Sequence, residues 1–251
     1  AQAGPQGPVI VGRGWTQPGG RPHAETEALQ RAGEAARGGT LYVTLEPCSH
    51  HGRTPPCVDA IIAAGIGRVV SAMDDPNPLV AGAGHARLRE GGIVVDVGLG
   101  AGQARRDHVG HIMRTRAGRP SVTLKLAVSA DGKAGLAGRQ PAAITAGPAR
   151  VRVHAMRAAH DAVVTGIGTA LSDDPLLTCR LPGMQARSPV RVVLDSALRL
   201  PLASRLVASI GQAPLWVVTA PQAAADREAA LRERGVVVLR TADKAGRVDL
   251  H

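Results

Sequence analysis

Apolar runs alternate with helix-like repeats along most of this chain, which predicts an α/β fold. In the first half, short runs of apolar residues predict buried strands at 41–45, 69–73 and 93–97. Apolar residues spaced three and four apart predict helices at 24–37, 58–64, 86–90 and from 102 to about 116. Strands that alternate with helices in this way favour a three-layer α/β sandwich with a mostly parallel sheet.

A second alternation follows a short linker at 117–120, so we expect a different α/β domain from residue 121 onward. Its predicted strands lie at 121–129, 162–165, 190–194, 215–219 and 236–239, and its predicted helices at 148–159 and 223–234. A tight Asp131-Gly132 turn ends the first of these strands. The Gly- and Pro-rich residues 1–8 are predicted to be coil. We therefore place the two domains at 1–117 and 121–251.

The composition narrows the possible partners. The chain has 251 residues, a net charge of +10, no Phe, two Trp and one Tyr, so its core must be aliphatic. The basic residues are mostly scattered Arg without a patch or stacking aromatics, and we therefore expect no nucleic-acid partner. Scattered Arg suits phosphorylated small molecules, although a solvated Arg-rich surface explains it equally well. Neither a run of 18 apolar residues nor an export signal is visible, so we expect a cytoplasmic protein without membrane association.

One histidine and two cysteines have the chemistry of a catalytic zinc site. His23 opens the stretch P-H-A-E-T-E-A-L, and Cys48 and Cys57 belong to T-L-E-P-C-S-H-H-G-R-T-P-P-C. An imidazole and two thiolates give three zinc ligands and leave one position open. Glu25 lies too close to His23 to be a natural fourth ligand on the same helix. A glutamate beside zinc-activated water is suited to move protons from the water to a leaving amine.

Other interpretations of the same residues remain open at this point. His23 could cap a helix, and the two cysteines could be small buried hydrophobic residues. Alternatively, zinc could be structural in a nucleic-acid-binding module, with His50 or His51 as a fourth protein ligand. The combination of H-A-E with two Pro-Cys pairs favours the catalytic zinc site over each of these.

These motifs resemble the deaminase half of the bifunctional riboflavin-biosynthesis deaminase/reductase family. Zinc nucleobase deaminases share a His-x-Glu and a Pro-Cys-x-x-Cys pattern. Eight residues separate the two cysteines here, and this longer spacing is usual in the riboflavin family; D-D-P-N-P at 74–78 and V-A-G-A-G at 80–84 also resemble it. The resemblance implies a cytidine-deaminase-like fold, with His23, Cys48 and Cys57 as zinc ligands and Glu25 as proton shuttle. The implied reaction is hydrolytic loss of ammonia from a pyrimidine carrying a ribose phosphate.

The insert between the cysteines, S-H-H-G-R-T, has two interpretations. His50, His51 and Arg53 could contact the substrate's phosphate or ring, since Arg suits phosphate. The competing interpretation is a solvated loop, and the presence of Arg53 favours the substrate role.

The second half resembles the reductase half of the same family. The similar segments are V-T-L-K-L-A-V-S-A-D-G-K at 122–133, 163–180, and R-V-V-L-D-S at 191–196. The resemblance implies a dihydrofolate-reductase-like fold that uses NADPH to reduce the ribosyl group to ribityl, and self-association into a homo-oligomer. By position it implies NADPH contacts at Ala127, Thr169, Asp173 and Ser196, and substrate contacts at Arg157, Leu177 and Arg180.

Two kinds of departure from the family pattern lead to a further expectation. Pro141-Ala142-Ala143 replaces the family's Ser-x-Trp, and family segments expected before Val9 and after His251 are absent from this sequence. We therefore expect a reductase domain that is incomplete on its C-terminal side. The alternative is a deaminase-only enzyme whose second half is inactive or merely supporting.

Overall fold

The chain forms two compact units, Ala1–Leu124 and Lys125–His251. The computed structural model describes residues 1–4, 7–52, 54–78, 80–136 and 143–249. Within those residues, no helix combines the length and apolar character needed to cross a bilayer. Each unit contains a parallel sheet and helices, so the α/β class predicted for both halves is confirmed.

The elements of the first unit alternate between strands and helices, as its apolar pattern predicts. Its strands are β1 (Gln2–Gly4), β2 (Gly7–Val9), β3 (Thr40–Val43), β4 (Arg68–Ser71) and β5 (Val94–Val97). Its helices are α1 (Ala24–Ala32), α2 (Cys57–Ala63), α3 (Ala83–Glu90), α4 (Ala101–Asp107) and α5 (Val109–Ala117). A 3₁₀ turn, Gly33–Ala36, follows α1.

A three-stranded parallel sheet organises this unit, in the order β3-β4-β5. Leu41, Val69 and Val95 lie in register on one face of the sheet. That face packs against side chains of α1, α2 and α3, among which Ile61 and Leu88 are fully buried. Because the strands are parallel, their carboxyl ends meet at one edge, and the polar residues that follow β3 and β4 are gathered there.

The second unit is built on a parallel sheet of four strands, one more than in the first unit. Its strands are β6 (Ala162–Gly166), β7 (Val190–Leu194), β8 (Leu215–Thr219), β9 (Val237–Arg240), β10 (Asp243–Lys244) and β11 (Arg247–Val248). Its helices are α6 (Gly147–Ala159), α7 (Ile167–Asp173), α8 (Arg205–Ala208) and α9 (Ala225–Glu233). β6 to β9 pair in sequence order, and β10 and β11 form a separate hairpin. Val193, Val217 and Val238 lie in register and form the buried face.

A fully buried arginine crosses the core of the second unit. Arg191, in β7, donates to the carbonyl of Leu176, the hydroxyl of Ser209 and the carbonyls of Ser209 and Ala213. Burial lowers the pKa of this guanidinium below its ordinary value. The arginine therefore ties the segment before residue 177 to the chain after α8 through hydrogen bonds to neutral groups.

Two expectations about local structure were wrong. The prediction of coil at 1–8 is wrong for the described residues, because β1 and β2 pair antiparallel, with Pro8 opposite Ala3 on a two-stranded ribbon that tolerates proline. The predicted strand at 121–129 does not form among the described residues, and the alternating Val122, Leu124 and Leu126 are exposed. A period-two pattern gives a strand only where a neighbouring strand supplies hydrogen bonds. The turn at its end is confirmed, since the Ser129 amide donates to the Lys133 carbonyl.

Other differences concern boundaries and burial. The helix predicted over 24–37 ends at Ala32 and continues only as a 3₁₀ turn, and the helix predicted after residue 102 divides at His108. The strand predicted as buried at 41–45 is only half-buried, because β3 is an edge strand. The pattern also gave no sign of α7, α8 and the β10–β11 hairpin. Pro141 and Ala142 of the departing segment lie outside the described residues.

Glycine allows the chain before α1 to lie directly against that helix. A Cβ atom on Gly14 would lie 2.1 Å from the carbonyl oxygen of Ala24 and 2.6 Å from the amide nitrogen of Ala28. Both obstacles are backbone atoms, so a side chain at this position must push the segment and α1 apart. Gly102, in α4, has no atom within 4 Å of the equivalent position.

We predict that Gly14→Ala destabilises the first unit by about 1–3 kcal/mol, the usual cost of overpacking. Gly102→Ala is the matched control, and we expect it to be neutral or stabilising by up to about 1 kcal/mol because alanine favours a helix interior. Chemical denaturation of both variants and the parent chain measures the difference. Equal stability of Gly14→Ala and the parent would contradict the tight contact.

Candidate metal centre

Three side chains from distant parts of the first unit converge on one point. His23 immediately precedes α1, Cys48 lies in the turn after β3, and Cys57 is the first residue of α2. The Nδ1 atom of His23 lies 3.2 Å from the Sγ atom of Cys57 and 3.6 Å from that of Cys48. All three ligand atoms lie within 4.8 Å of one another. The three side chains predicted as zinc ligands therefore form one cluster.

Backbone contacts place the two cysteines side by side. Pro56 is the N-cap of α2, so the helix begins at Cys57. The amide of Cys57 donates to the Sγ atom of Cys48 at 3.3 Å, and the amide of Val58 donates to the carbonyl of Cys48 at 3.2 Å. The start of α2 thus presents two otherwise unsatisfied N–H groups to the Cys48 turn.

The two thiols have unequal acidity. Hydrogen bonds from the Cys57 side chain and amide lower the pKa of Cys48 to about 4, against the effect of burial. The same interaction with Cys48, together with burial and the nearby Glu25 carboxylate, raises the pKa of Cys57. One thiolate is therefore stabilised by the protein itself, while a second negative charge beside it requires a positive charge between the sulfurs.

The donor set and its spacing fit zinc. Ligands at tetrahedral zinc, about 2.0–2.3 Å from the ion, lie roughly 3.5 Å from one another. The measured separations of 3.2 and 3.6 Å from His23 to the two sulfurs are close to that value. The two cysteines are free and buried, so no disulfide competes for the sulfur atoms. Among the described residues the cluster has three ligands, which is the number expected for a catalytic rather than a structural zinc site.

Glu25 lies beside the cluster without being part of it. It is on the first turn of α1, and it interacts electrostatically with His23, Cys48 and Cys57. Burial raises the pKa of Glu25 above its ordinary value, with a smaller contribution from Cys48. A carboxyl group that holds a proton more readily than usual is suited to proton transfer near neutral pH.

The alternative roles of His23 and the cysteines find no support in this geometry. His23 occupies the N-cap position of α1, but its side chain does not cap the helix. The sulfur atoms of Cys48 and Cys57 make polar contacts, unlike those of purely hydrophobic core cysteines.

The insert between the cysteines is anchored mainly through other residues. His50 and His51 are exposed and do not belong to the ligand cluster, while Arg53 lies outside the described residues. Arg21 donates to the hydroxyl of Thr54 at 3.0 Å, and its Nη1 atom lies 3.3 Å from His23. Arg21, which the motif did not single out, thus links the insert to the segment that carries His23.

A buried glutamate next to the cluster was also missed. Glu46, two residues before Cys48, is only 3% exposed and accepts hydrogen bonds from backbone amides of the segment 75–85. The only feature of the sequence that could have drawn attention to Glu46 is its place in T-L-E-P-C, directly after a predicted strand. The motif itself does not reveal what the carboxylate binds, because its partners are main-chain groups.

In the second unit, the predicted substrate-binding residues surround one short segment. Arg157, on α6, donates to the carbonyl of Thr178 at 3.1 Å, and the amide of Arg180 donates to His154 at 3.2 Å. Leu177 is buried and has a positive φ of 57°. Burial, and then the charge of Arg180, lower the pKa of Arg157, so the two arginines are close enough to repel each other.

A recess of about 320 Å³ lies on the other side of this segment. Its lining includes Thr178 to Arg180, Gln185, Ser188 and Gln212. The Oγ1 atom of Thr178 is buried and has no hydrogen-bond partner. Arg180 gives this concave surface a positive charge, which suits a phosphorylated ligand.

The four residues predicted to bind NADPH are spread over several elements. Thr169 and Asp173 lie four residues apart on α7, so they share one side of that helix, and both are exposed. Ser196 follows β7, and its hydroxyl accepts a hydrogen bond from the Val248 amide at 3.1 Å. Ala127 lies in the segment that does not form the predicted strand. Their role as a cofactor site stays a prediction.

Comparison with known proteins agrees with this division of the chain. The family model "Cytidine and deoxycytidylate deaminase zinc-binding region" matches residues 7–73, and the model "RibD C-terminal domain" matches residues 120–251. The riboflavin biosynthesis protein RibD of Escherichia coli is 47% identical over 214 residues, and that of Aquifex aeolicus is 44% identical over 230 residues. These alignments cover 81% and 92% of this chain.

Solved structures give the same result. RibD of Acinetobacter baumannii has a TM-score of 0.80 at 39% identity, covering 93% of this chain and 64% of that one. A diaminohydroxyphosphoribosylaminopyrimidine deaminase/5-amino-6-(5-phosphoribosylamino)uracil reductase of Thermotoga maritima has a TM-score of 0.73 at 37% identity, covering 88% and 68%.

The chain spans only part of the length of the curated relatives it matches, 58% for the E. coli protein and 64% for the A. aeolicus protein. The RibD C-terminal model nevertheless matches more than half of this chain, and the preceding zinc-binding region matches the part that holds the ligand cluster. The chain therefore belongs to the RibD family of riboflavin biosynthesis proteins.

Proposed function

We propose that the first unit is a zinc-dependent deaminase that acts on a diaminopyrimidine ribose-phosphate in riboflavin biosynthesis. The observation that carries this proposal is the cluster of His23, Cys48 and Cys57 with Glu25 beside it. The relatives' names supply the substrate class, because the T. maritima protein is described as acting on a phosphoribosylaminopyrimidine. The exposure of His50 and His51 weighs against a four-ligand structural zinc site.

The three ligands would hold the ion, and Glu25 would move the proton. Zinc bound by three side chains supplies Lewis acidity that makes water a nucleophile near neutral pH. Glu25 takes a proton from the attacking water and delivers it to the amino group that leaves as ammonia, so water is consumed and the ring gains a carbonyl. The raised pKa of Glu25 suits a group that must hold this proton between the two transfers.

We further propose that the second unit uses NADPH to reduce the ribosyl group of the deaminated product. Membership of the RibD family supports this step, as does the electropositive segment around Thr178. Arg157 and Arg180 carry the same charge and are close enough to repel each other. A phosphate placed between them would relieve this repulsion and gain charged hydrogen bonds. Thr169, Asp173 and Ser196 are the proposed cofactor contacts, with Ala127 as the fourth.

The remaining proposals concern the setting of the enzyme. The free cysteines of the ligand cluster must stay reduced, which suits the cytoplasm. We propose a phosphorylated small molecule as the substrate and a homo-oligomer as the assembly, with no nucleic-acid partner. The second candidate function, a deaminase whose second unit is only supporting, follows from the altered segment that contains Ala143.

Replacing Glu25 tests the proton transfer. We predict that Glu25→Gln lowers the rate of ammonia release by roughly 10²–10⁴-fold, the usual contribution of a general acid–base group, with zinc content unchanged. Glu27→Gln is the matched control, because Glu27 is on the same helix and its carboxylate pairs with Arg31. Ammonia release from the pyrimidine ribose-phosphate and zinc content per chain are measured together. Undiminished release by Glu25→Gln would reject Glu25 as the proton carrier.

The three cysteines offer an internal comparison for the zinc site. We predict that the parent chain holds one zinc ion and that Cys48→Ser and Cys57→Ser each lose most of it, because a hydroxyl is a far poorer zinc ligand than a thiolate. Cys179→Ser, at the third free cysteine, should retain zinc and ammonia release. Removal of zinc with a chelator should abolish ammonia release by the parent, and added zinc should restore it. Equal zinc loss in all three variants would contradict the site.

The reductase proposal is tested by supplying the deaminated product with NADPH. We predict that NADPH is oxidised only when this product is present, and that Arg180→Ala raises the KM for the product about tenfold or more through loss of a phosphate contact. Arg187→Ala is the control for a change of charge alone, because Arg187 ends the 3₁₀ turn Gln185–Arg187 beside the segment around Thr178. Ammonia release without any NADPH oxidation would favour the deaminase-only alternative.

A further inference from the structure

Glu46 has an unusual environment for a carboxylate. It is almost fully buried, and each of its oxygen atoms accepts two backbone N–H groups. Oε2 accepts from the amides of Asp75 and Gly82, each at 2.9 Å. Oε1 accepts from the amides of Gly84 at 2.8 Å and His85 at 3.3 Å. Four N–H donors directed at the two oxygens hold the carboxylate in one position.

These donors belong to the segment that joins β4 to α3. Gly84 and His85 are in the first turn of α3, where backbone amides have no partner within the helix. The N-cap residue of α3 is Gly82, which has no side chain that could satisfy them. Glu46 therefore caps α3 from a distant part of the sequence, and at the same time it binds the amides of Asp75 and Gly82.

The main chain next to Glu46 is in equally close contact with α3. A Cβ atom on Gly84 would lie 2.1 Å from the carbonyl oxygen of Pro47, so only glycine lets the helix approach the turn this closely. On the other side of the turn, the Val58 amide holds the carbonyl of Cys48. The turn Glu46-Pro47-Cys48 is thus fixed by α3 on one side and by α2 on the other.

The same carboxylate forms a second group of possible metal ligands with Asp74 and His85, whose atoms lie within 4.8 Å of one another. The Glu46 oxygens are already occupied by four N–H groups, and the Nδ1 atom of His85 lies 3.1 Å from Asp74. These contacts describe a hydrogen-bonded support and leave the carboxylate little capacity to bind an ion.

We propose that Glu46 is a positioning residue for zinc binding, which acts by holding Cys48 where His23 and Cys57 can share an ion. This inference rests on the proposed zinc site. Glu46 touches neither the ion nor the substrate, and it acts through the Pro47-Cys48 backbone. Groups that orient a metal ligand from outside contribute about 10–100-fold to metal affinity. Part of the zinc affinity of this centre is therefore built into the β4–α3 segment.

The test compares zinc affinity in Glu46→Gln and the parent chain by competition with a chromophoric chelator. A glutamine keeps the size of the side chain, but its NH₂ group must face two of the four N–H donors. We expect the zinc dissociation constant to rise about 10–100-fold. Ile93→Ala is the control, because Ile93 is a buried core residue of the same unit outside the turn. Its zinc affinity should stay within about threefold of the parent, as for independent sites.

Two outcomes would overturn the inference: Glu46→Gln binding zinc as tightly as the parent, or Ile93→Ala losing as much affinity at a similar loss of stability. A parent chain that binds no zinc would overturn the proposed function, and this inference with it. Tight binding by both the parent and Glu46→Gln would overturn the inference alone.

Hydrogen exchange in the unaltered chain gives a second measurement, which does not depend on the folding of a variant. If the Glu46 contacts favour zinc, then zinc must favour the Glu46 contacts by the same factor. Zinc should therefore slow exchange of the Asp75, Gly82 and Gly84 amides more than that of the Val69 and Val95 amides in the sheet. Equal slowing at both sets of amides, or none, would also overturn the inference.

Discussion

The turn at Cys48 is the point on which the first unit's chemistry depends. Two helices contact this turn. At the start of α2, the Cys57 amide donates to the Cys48 sulfur and the Val58 amide donates to the Cys48 carbonyl. At the start of α3, the Gly84 amide donates to the Glu46 carboxylate, two residues before Cys48. The Cys57 side chain and amide favour the thiolate form of Cys48, which is the form that binds a cation. Cys57 and His23 can share an ion with Cys48 only if the Cys48 sulfur stays in this position.

Sequence chemistry predicted the members of the zinc cluster, but only part of what supports them. His23, Cys48 and Cys57 could be proposed as ligands because zinc coordination restricts ligand types, and their short motifs carry that restriction. Glu25 could be proposed as the proton carrier from its place beside His23 in the same motif. Glu46 lies in the same motif, yet its partners are main-chain N–H groups, which every residue except proline has. A hydrogen bond between a side chain and a distant backbone leaves no pattern in the sequence, so this contact required the three-dimensional structure.

The fold shows a similar limit. The strands at Val190–Leu194 and Leu215–Thr219 have the predicted bounds, because buried parallel strands are short, continuous apolar runs between turn residues. Val122, Leu124 and Leu126 have an equally strong alternation, but among the described residues this stretch pairs with no strand. Pairing partners decide whether such a stretch becomes a strand. Conversely, β1 and β2 pair in a Gly- and Pro-rich stretch whose composition indicated coil.

In the second unit, the family resemblance predicted substrate contacts at Leu177 and Arg180, and the structure shows which contacts hold the segment that contains them. Four polar contacts hold the segment at 176–180, from Arg191 to Leu176, from Arg157 to Thr178, from the Cys179 amide to Ser188 and from the Arg180 amide to His154. Within it, Leu177 keeps a left-handed backbone conformation, which costs a residue with a side chain about 1 kcal/mol or more. Strain of this kind persists where surrounding contacts impose it. Those contacts also bring Arg157 and Arg180 close to each other, and these are the two residues proposed above to bind the phosphate of the substrate.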